Sequence, residues 1–227
     1  MGGVFSQSWR PLPKNNQDTL DFLKSYRPRN HEASHLRILL IGPSGDGKST
    51  FINSVDSVLQ GRVANRAPTD QHLTADSFTK KFDPENKLEE GAPKYNAAPE
   101  LSDRVHVLVT VVPACSVSLL PPDMIAKLRD IRLAATALEI PQLAILTKVD
   151  VACRKAQRNV NNIYKSDYLK EQVYKFGQFL GLPVNSIFLV KNYSSEISTN
   201  DATDAHILCA LKQMVVFGED YLNHLND

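Results

Sequence analysis

Short apolar runs and amphipathic stretches alternate along most of the chain. Residues 36–41 (LRILLI) form an apolar run that ends in a glycine-rich segment, the pattern of a buried parallel strand. Residues 49–60 follow with Phe51, Ile52, Val55, Val58 and Leu59 on one helical face, and Gly61 supplies a stop. Residues 105–112 (VHVLVTVV) are rich in β-branched residues and apolar on nearly both faces, which suits a central strand. Helical spacing returns over 121–139 through Met124, Ile125, Leu128, Ile131, Ala135 and Leu138. Residues 143–147 (LAILT) predict a third strand, 167–180 a helix closed by Gly181 and Pro183, and 186–190 (SIFLV) a fourth strand. A long amphipathic helix is expected over 204–225, its apolar stripe a core face. Strands alternating with helices predict an α/β fold with a mostly parallel sheet and right-handed crossovers. Residues 1–35 are polar and carry prolines. They read as an N-terminal arm with a weak helix around 19–25, and Trp9 is expected to anchor the arm on the domain formed by 36–227.

The segment between the first strand and its helix carries the chemistry. Gly42-Pro43-Ser44-Gly45-Asp46-Gly47-Lys48-Ser49-Thr50 fits G-x-x-x-x-G-K-[ST] in the strand-to-helix context this motif requires. Its glycines let the backbone close around phosphate oxygens with amide hydrogens inward, and the helix start adds partial positive charge. Lys48 is expected to reach the β- and γ-phosphates, and Ser49 to offer its hydroxyl to Mg²⁺. The loop thus predicts a P-loop NTPase.

The third strand ends in Thr147-Lys148-Val149-Asp150, similar to the [N/T]-K-x-D motif of GTPases. The Asp150 carboxylate can accept from the ring N–H and the exocyclic amine of guanine. Adenine offers no such donor pair, and an unpaired carboxylate costs about 1–3 kcal/mol. The Lys148 stem would cover the base plane. Lys191 and Asn192, after the fourth strand, stand where GTPases place a second base-contacting loop. GTP or GDP with Mg²⁺ is the expected ligand set.

The runs LRILLIGPSGDGKSTFINSV, SDRVHVLV, IPQLAILTKVD and IFLVKNY followed by ALKQMVVF resemble the interferon-induced protein 44 family, vertebrate antiviral-response proteins with a GTPase-like domain. The resemblance spans roughly residues 36–225, with weaker similarity around Trp9-Arg10. It implies a cytoplasmic, interferon-inducible, GTP-binding protein of the immune response, with a three-layer GTPase-like fold. Some members are associated with microtubular aggregates, so self-assembly and protein partners of unknown identity are implied as well.

A GTPase also needs a switch threonine and a D-x-x-G loop. No D-x-x-G occurs in the chain, and residues 82–101 read as a Pro-, Glu- and Asn-rich loop. Against the family pattern, SFTKKF joins a Pro-rich segment directly, so one or two strands and the switch loop look absent. The first strand would then be an edge, or be covered by residues 72–82. Thr69, Thr74 and Thr79 all stay open as switch residues. Weak or absent hydrolysis follows, and a non-catalytic interaction protein on a degenerate P-loop fold is the alternative.

Composition narrows the rest. A net charge of +1 gives no global attraction to nucleic acid. Three widely spaced cysteines, Cys115, Cys153 and Cys209, argue against a disulfide framework and favour a reducing compartment. The six histidines show no metal-ligand spacing, and Arg154, Lys155 and Arg158 read as a solvated helix face. Met1-Gly2-Gly3-Val4-Phe5-Ser6 fits the myristoylation pattern; acylation at Gly2 and a flexible start both stay open. A single acyl chain would give only weak, reversible membrane association.

Overall fold

A computed structural model describes residues 7–13, 16–67, 96 and 98–225. Gly2, Thr69, Thr74, Thr79, the 72–82 segment and most of 82–101 lie outside the described residues. The elements, in chain order, are α1 (Asn16–Ser25), β1 (Ile38–Ile41), α2 (Lys48–Gln60), β2 (Val107–Pro113), α3 (Pro122–Ala137), β3 (Gln142–Thr147), α4 (Val149–Ala152), α5 (Arg154–Arg158), α6 (Asp167–Leu180), β4 (Ile187–Leu189) and α7 (Asp201–His224). Strands β1 to β4 lie side by side in sequence order and all pair in parallel.

Two-residue alternation along the strands builds two cores. Leu108, Val112, Ala144 and Leu146 face one side and pack with Leu128 of α3 and Leu169, Val173 and Phe176 of α6. Val107, Val109, Val111, Leu143 and Ile145 face the other, against Phe51 and Val58 of α2 and Ile207, Leu208 and Met214 of α7. Helices on both faces of a parallel sheet make this a three-layer α/β fold, with the strand–glycine loop–helix unit of P-loop proteins at β1 and α2. β2 and β3 are buried throughout, apart from the first residue of β3.

β1 behaves differently from a buried strand. Three of its four residues are only half-buried, because among the described residues it has a neighbour on one side alone. Residues 72–82, the other expected neighbour of this strand, lie outside the described residues. Three side-chain assignments are corrected. Leu225, the last residue of the expected apolar stripe, is 43% exposed, because it lies one residue past the end of α7. Ile52 is 47% exposed, because the inward face of α2 is completed by Asn53, Ser54 and Ser57, which bond to backbone carbonyls there. Leu138 is 64% exposed, because α3 ends at Ala137 and the chain turns at Glu139 with φ 59°.

The arm is docked on the α3/α6 side. The Trp9 amide donates to the Tyr164 carbonyl at 3.0 Å, and its indole meets the Tyr164 ring edge-on at 5.1 Å. The Arg10 guanidinium lies over both rings and donates to the carbonyls of Ile187 and Val184 at 2.6 and 2.5 Å. Further on, α1 lies along α7, with Leu20 and Leu23 in the second core.

Candidate functional site

The carboxyl ends of β1, β3 and β4 bring three loops together. The loop from β1 turns sharply at Gly42, whose φ is 146°. A Cβ there would lie 2.1 Å from the Val111 carbonyl oxygen, so only glycine lets β1 pass β2 into the loop. At the far end Gly47, with φ 91°, starts α2 without a side-chain cap, and the first turn of the helix holds no acidic residue. The helix start therefore leaves its amides open to an external anion.

Side chains from other elements fix how the loop faces. Three consecutive carbonyls, those of Gly45, Asp46 and Gly47, accept hydrogen bonds from Lys148 Nζ (2.9 Å), Thr147 Oγ1 (2.7 Å) and Asn192 Nδ2 (3.2 Å). In a planar trans peptide the N–H points opposite to the C=O. Drawing these carbonyls toward the β3 and β4 loops turns the amides of Asp46, Gly47 and Lys48 the other way, as an anion cradle requires. Lys48 Nζ spans the loop and donates to the Gly42 and Pro43 carbonyls at 2.7 and 2.6 Å. Burial lowers its pKa, with Asp46 acting in the opposite direction.

The loop after β4 is held firmly. The Tyr193 amide donates to Ser54 Oγ on α2 at 2.9 Å, and its hydroxyl donates to Asp204 at 2.6 Å. Lys191, expected to contact a base, is paired with Glu196 at 2.7 Å. Burial would raise the Glu196 pKa, but Lys191 and the Ser194 and Ser195 amides hold it down at about 2.

The structure thus brings Thr147, Lys148 and Asn192 onto the loop formed by Gly42, Pro43, Ser44, Gly45, Asp46, Gly47 and Lys48. Ser49 and Thr50 lie in the first turn of α2, and Asp150 lies in the first turn of α4, two residues past Lys148. Lys148 itself adopts a left-handed backbone, φ 53°, at the turn into α4. Amides, a helix start and two lysines suit a polyphosphate, and the Ser49 hydroxyl is the hard oxygen ligand Mg²⁺ favours. Among the described residues no cluster of three His, Cys, Asp or Glu could hold a metal alone.

Sequence reasoning gave Asp46 no role of its own. Its side chain is 8% exposed, and Oδ2 is buried without a hydrogen-bond partner. Burial raises its pKa from 3.8 to about 7, against the pull of Lys48 and Lys148. Its signal was an acid at a position where the motif asks for none. A shallow depression lined by Glu139, Pro141, Phe217, Asp220, Tyr221 and His224 lies near the amino end of β3, at the opposite end of the strands from the glycine loop.

No family model matches the chain. Among curated proteins it is 28% identical to human interferon-induced protein 44-like, over 89% of this chain and 56% of that protein. It is 26% identical to human interferon-induced protein 44 over 91% of this chain and 57% of that protein, and 25% identical to the mouse protein over 92% and 61%. The chain therefore spans somewhat over half the length of these relatives. Each alignment runs over 254 positions or more, longer than the 227 residues of this chain, so the relatives carry residues within the matched span that have no counterpart here. Among solved structures, a dimerization-deficient mutant of Toc33 from Arabidopsis thaliana is similar at a TM-score of 0.47 and 12% identity, over 94% of this chain and 96% of that one. Across about nine-tenths of its length, at 25–28% identity, the chain is thus similar to proteins named interferon-induced protein 44 and interferon-induced protein 44-like.

Proposed function

We propose that this chain binds guanine nucleotide as part of the interferon response, with weak or no GTP hydrolysis. One observation carries the nucleotide reading. Three successive carbonyls of the glycine loop are gripped from the TKVD and KNY segments, which turns the intervening amides the other way, as an anion cradle requires. In this reading the amides between Gly42 and Thr50 hold the phosphates, Lys48 leaves its carbonyls for the β- and γ-phosphates, and Ser49 holds Mg²⁺ against them. Asp150 accepts from the guanine ring N–H and amine, Lys148 covers the base, and Lys191 and Asn192 border it. Lack of a D-x-x-G sequence leaves water positioning and γ-phosphate sensing without their usual residues, which supports slow turnover. The interferon link comes from the names of the relatives, and a cytoplasmic location belongs to the same proposal.

Titration with fluorescent GTP and ATP analogues tests the reading. Lys48→Ala should abolish binding, and Asp150→Ala should weaken the guanine analogue selectively. Preference of the wild type for the ATP analogue would overturn the base assignment. Single-turnover hydrolysis as fast as a small GTPase would overturn the slow-turnover part. A scaffold role is the second reading, favoured by Lys48 being occupied with its own loop's carbonyls. Wild type that barely binds either analogue would bring it forward.

A further inference from the structure

An acid inside a phosphate loop is a contradiction in charge. Asp46 sits between Gly45 and Gly47, whose carbonyls are held by Lys148 and Asn192, and its own carbonyl is held by Thr147. Its side chain is more than nine-tenths buried, with Oδ2 unpartnered. The charged groups around it can be named element by element. Lys48 comes from the start of α2, and Lys148 from the turn after β3, with Asp150 two residues beyond. On the loop after β4, Lys191 is neutralised by Glu196 at 2.7 Å, and the segment after β2 through Ser118 carries Cys115 as its only titratable group. Both lysines that balance Asp46 are the cations a polyphosphate would need. A carboxylate and a phosphate so placed compete for the same field, and like charges in a poorly solvated site disfavour one another.

We propose that Asp46 is an affinity-setting residue of the loop: a polyphosphate enters only with the Asp46 carboxyl neutral, so that binding takes up a proton there. The inference rests on this loop being a phosphate site and is independent of which base is read. Burial already holds the carboxyl near the midpoint of its titration at neutral pH, at about 7. The proton comes from solvent and resides on the carboxyl, and the two lysines are released to the incoming anion. Affinity should then fall as pH rises above about 7.

Calorimetric titration with inorganic tripolyphosphate, and separately with GDP, tests this between pH 6 and 8.5 in two buffers of different ionisation enthalpy. The probe's own protonation is common to all variants, so the difference between proteins isolates Asp46. At pH 8, Asp46→Asn should bind tripolyphosphate about tenfold more tightly than wild type, the gap closing toward pH 6. Wild type should take up nearly one proton more per binding event than the variant. Asp46→Ala should behave like Asp46→Asn, and if neither variant folds, the carboxyl carbon NMR shift of Asp46 in 13C-labelled wild type at pH 8, moving to the protonated value on adding tripolyphosphate or staying put, decides. Equal affinity and equal proton uptake would overturn the proposal, as would failure of tripolyphosphate to bind at any pH. Binding of tripolyphosphate with the proton difference, but no binding of GDP, would sustain Asp46's role while refuting the guanine reading.

Discussion

Thr147 Oγ1 donates to the Asp46 carbonyl at 2.7 Å, joining the end of β3 to the glycine loop across 101 positions of sequence. The bond is buried, and Thr147 has no solvent exposure. A threonine therefore suffices where the motif of many GTPases has asparagine, because one hydroxyl reaches the carbonyl that must be turned.

Thr147→Val keeps the shape and removes the donor. The Asp46 carbonyl is then buried without that partner, at a cost of about 1–3 kcal/mol. Urea denaturation should show this loss, and nucleotide or tripolyphosphate affinity should fall about tenfold as the Asp46–Gly47 peptide is freed to rotate. Unchanged affinity at reduced stability would mean that the grip does not orient the loop.

Gly42→Ala should be far more severe. The added methyl would lie 2.1 Å from the Val111 carbonyl oxygen, in a backbone region that L side chains rarely adopt. A loss of about 3 kcal/mol or more is expected, since β1 must separate from β2 or the loop must leave its path. Soluble yield and melting temperature report it directly.

Two buried groups give opposite pH dependences of stability. Native Asp46 keeps its proton up to about pH 7, whereas an ordinary aspartate releases it near 3.8. The native state thus binds the extra proton between those values, and stability falls as pH rises through the window. His206 runs the other way: both ring nitrogens are buried without partners, and burial lowers its pKa from 6.5 to about 4. Between those values the unfolded chain holds the proton, so stability falls as pH drops. The slopes oppose one another from about pH 4 to 6.5. Urea midpoints should show Asp46→Asn unmasking the acid-side loss and His206→Leu unmasking the alkaline-side loss. Parallel profiles for all three proteins would refute the account.

Trp9 is the only tryptophan, so its fluorescence reports arm docking without a label. Arg10→Ala removes two hydrogen bonds, to the carbonyls of Val184 and Ile187, and the cation above Trp9 and Tyr164. Charged hydrogen bonds of this kind contribute about 1.5–3 kcal/mol each. Trp9 emission should shift to the red at denaturant concentrations where far-UV signal is still native. Coincident transitions would show that the arm and body unfold as one unit.

The sheet was readable because strand burial and sequence pattern agree. β3 was placed to within one residue and α6 over its full length, the latter closed by Gly181. For β1, the missing D-x-x-G left either an edge strand or one covered by residues 72–82; among the described residues it has a neighbour on one side alone, and 72–82 lie outside them. Residues 149–165 were harder. They fold into α4, α5 and a 3-10 turn over Val160–Lys165, too short for periodicity to register, yet they supply Tyr164 for the arm. Ile52 was misassigned because Asn53, Ser54 and Ser57 take inward places through hydrogen bonds that a hydrophobic pattern does not record. The grips on Gly45, Asp46 and Gly47 were invisible for a related reason. They join side chains to backbone atoms about a hundred or more residues away.

The docking of the early residues also constrains how the chain is made. Trp9 and Arg10 need Tyr164, Val184 and Ile187, and the Asn30 side chain needs the Leu222 carbonyl, 192 positions later. A ribosome therefore emits Trp9, Arg10 and Asn30 more than a hundred and fifty positions before these partners. Until those partners emerge, these contacts cannot form, and such long-range closures are the slow steps of folding. The nascent polypeptide should be most vulnerable to proteases and most dependent on chaperones in that interval, and should become resistant only as α7 is completed.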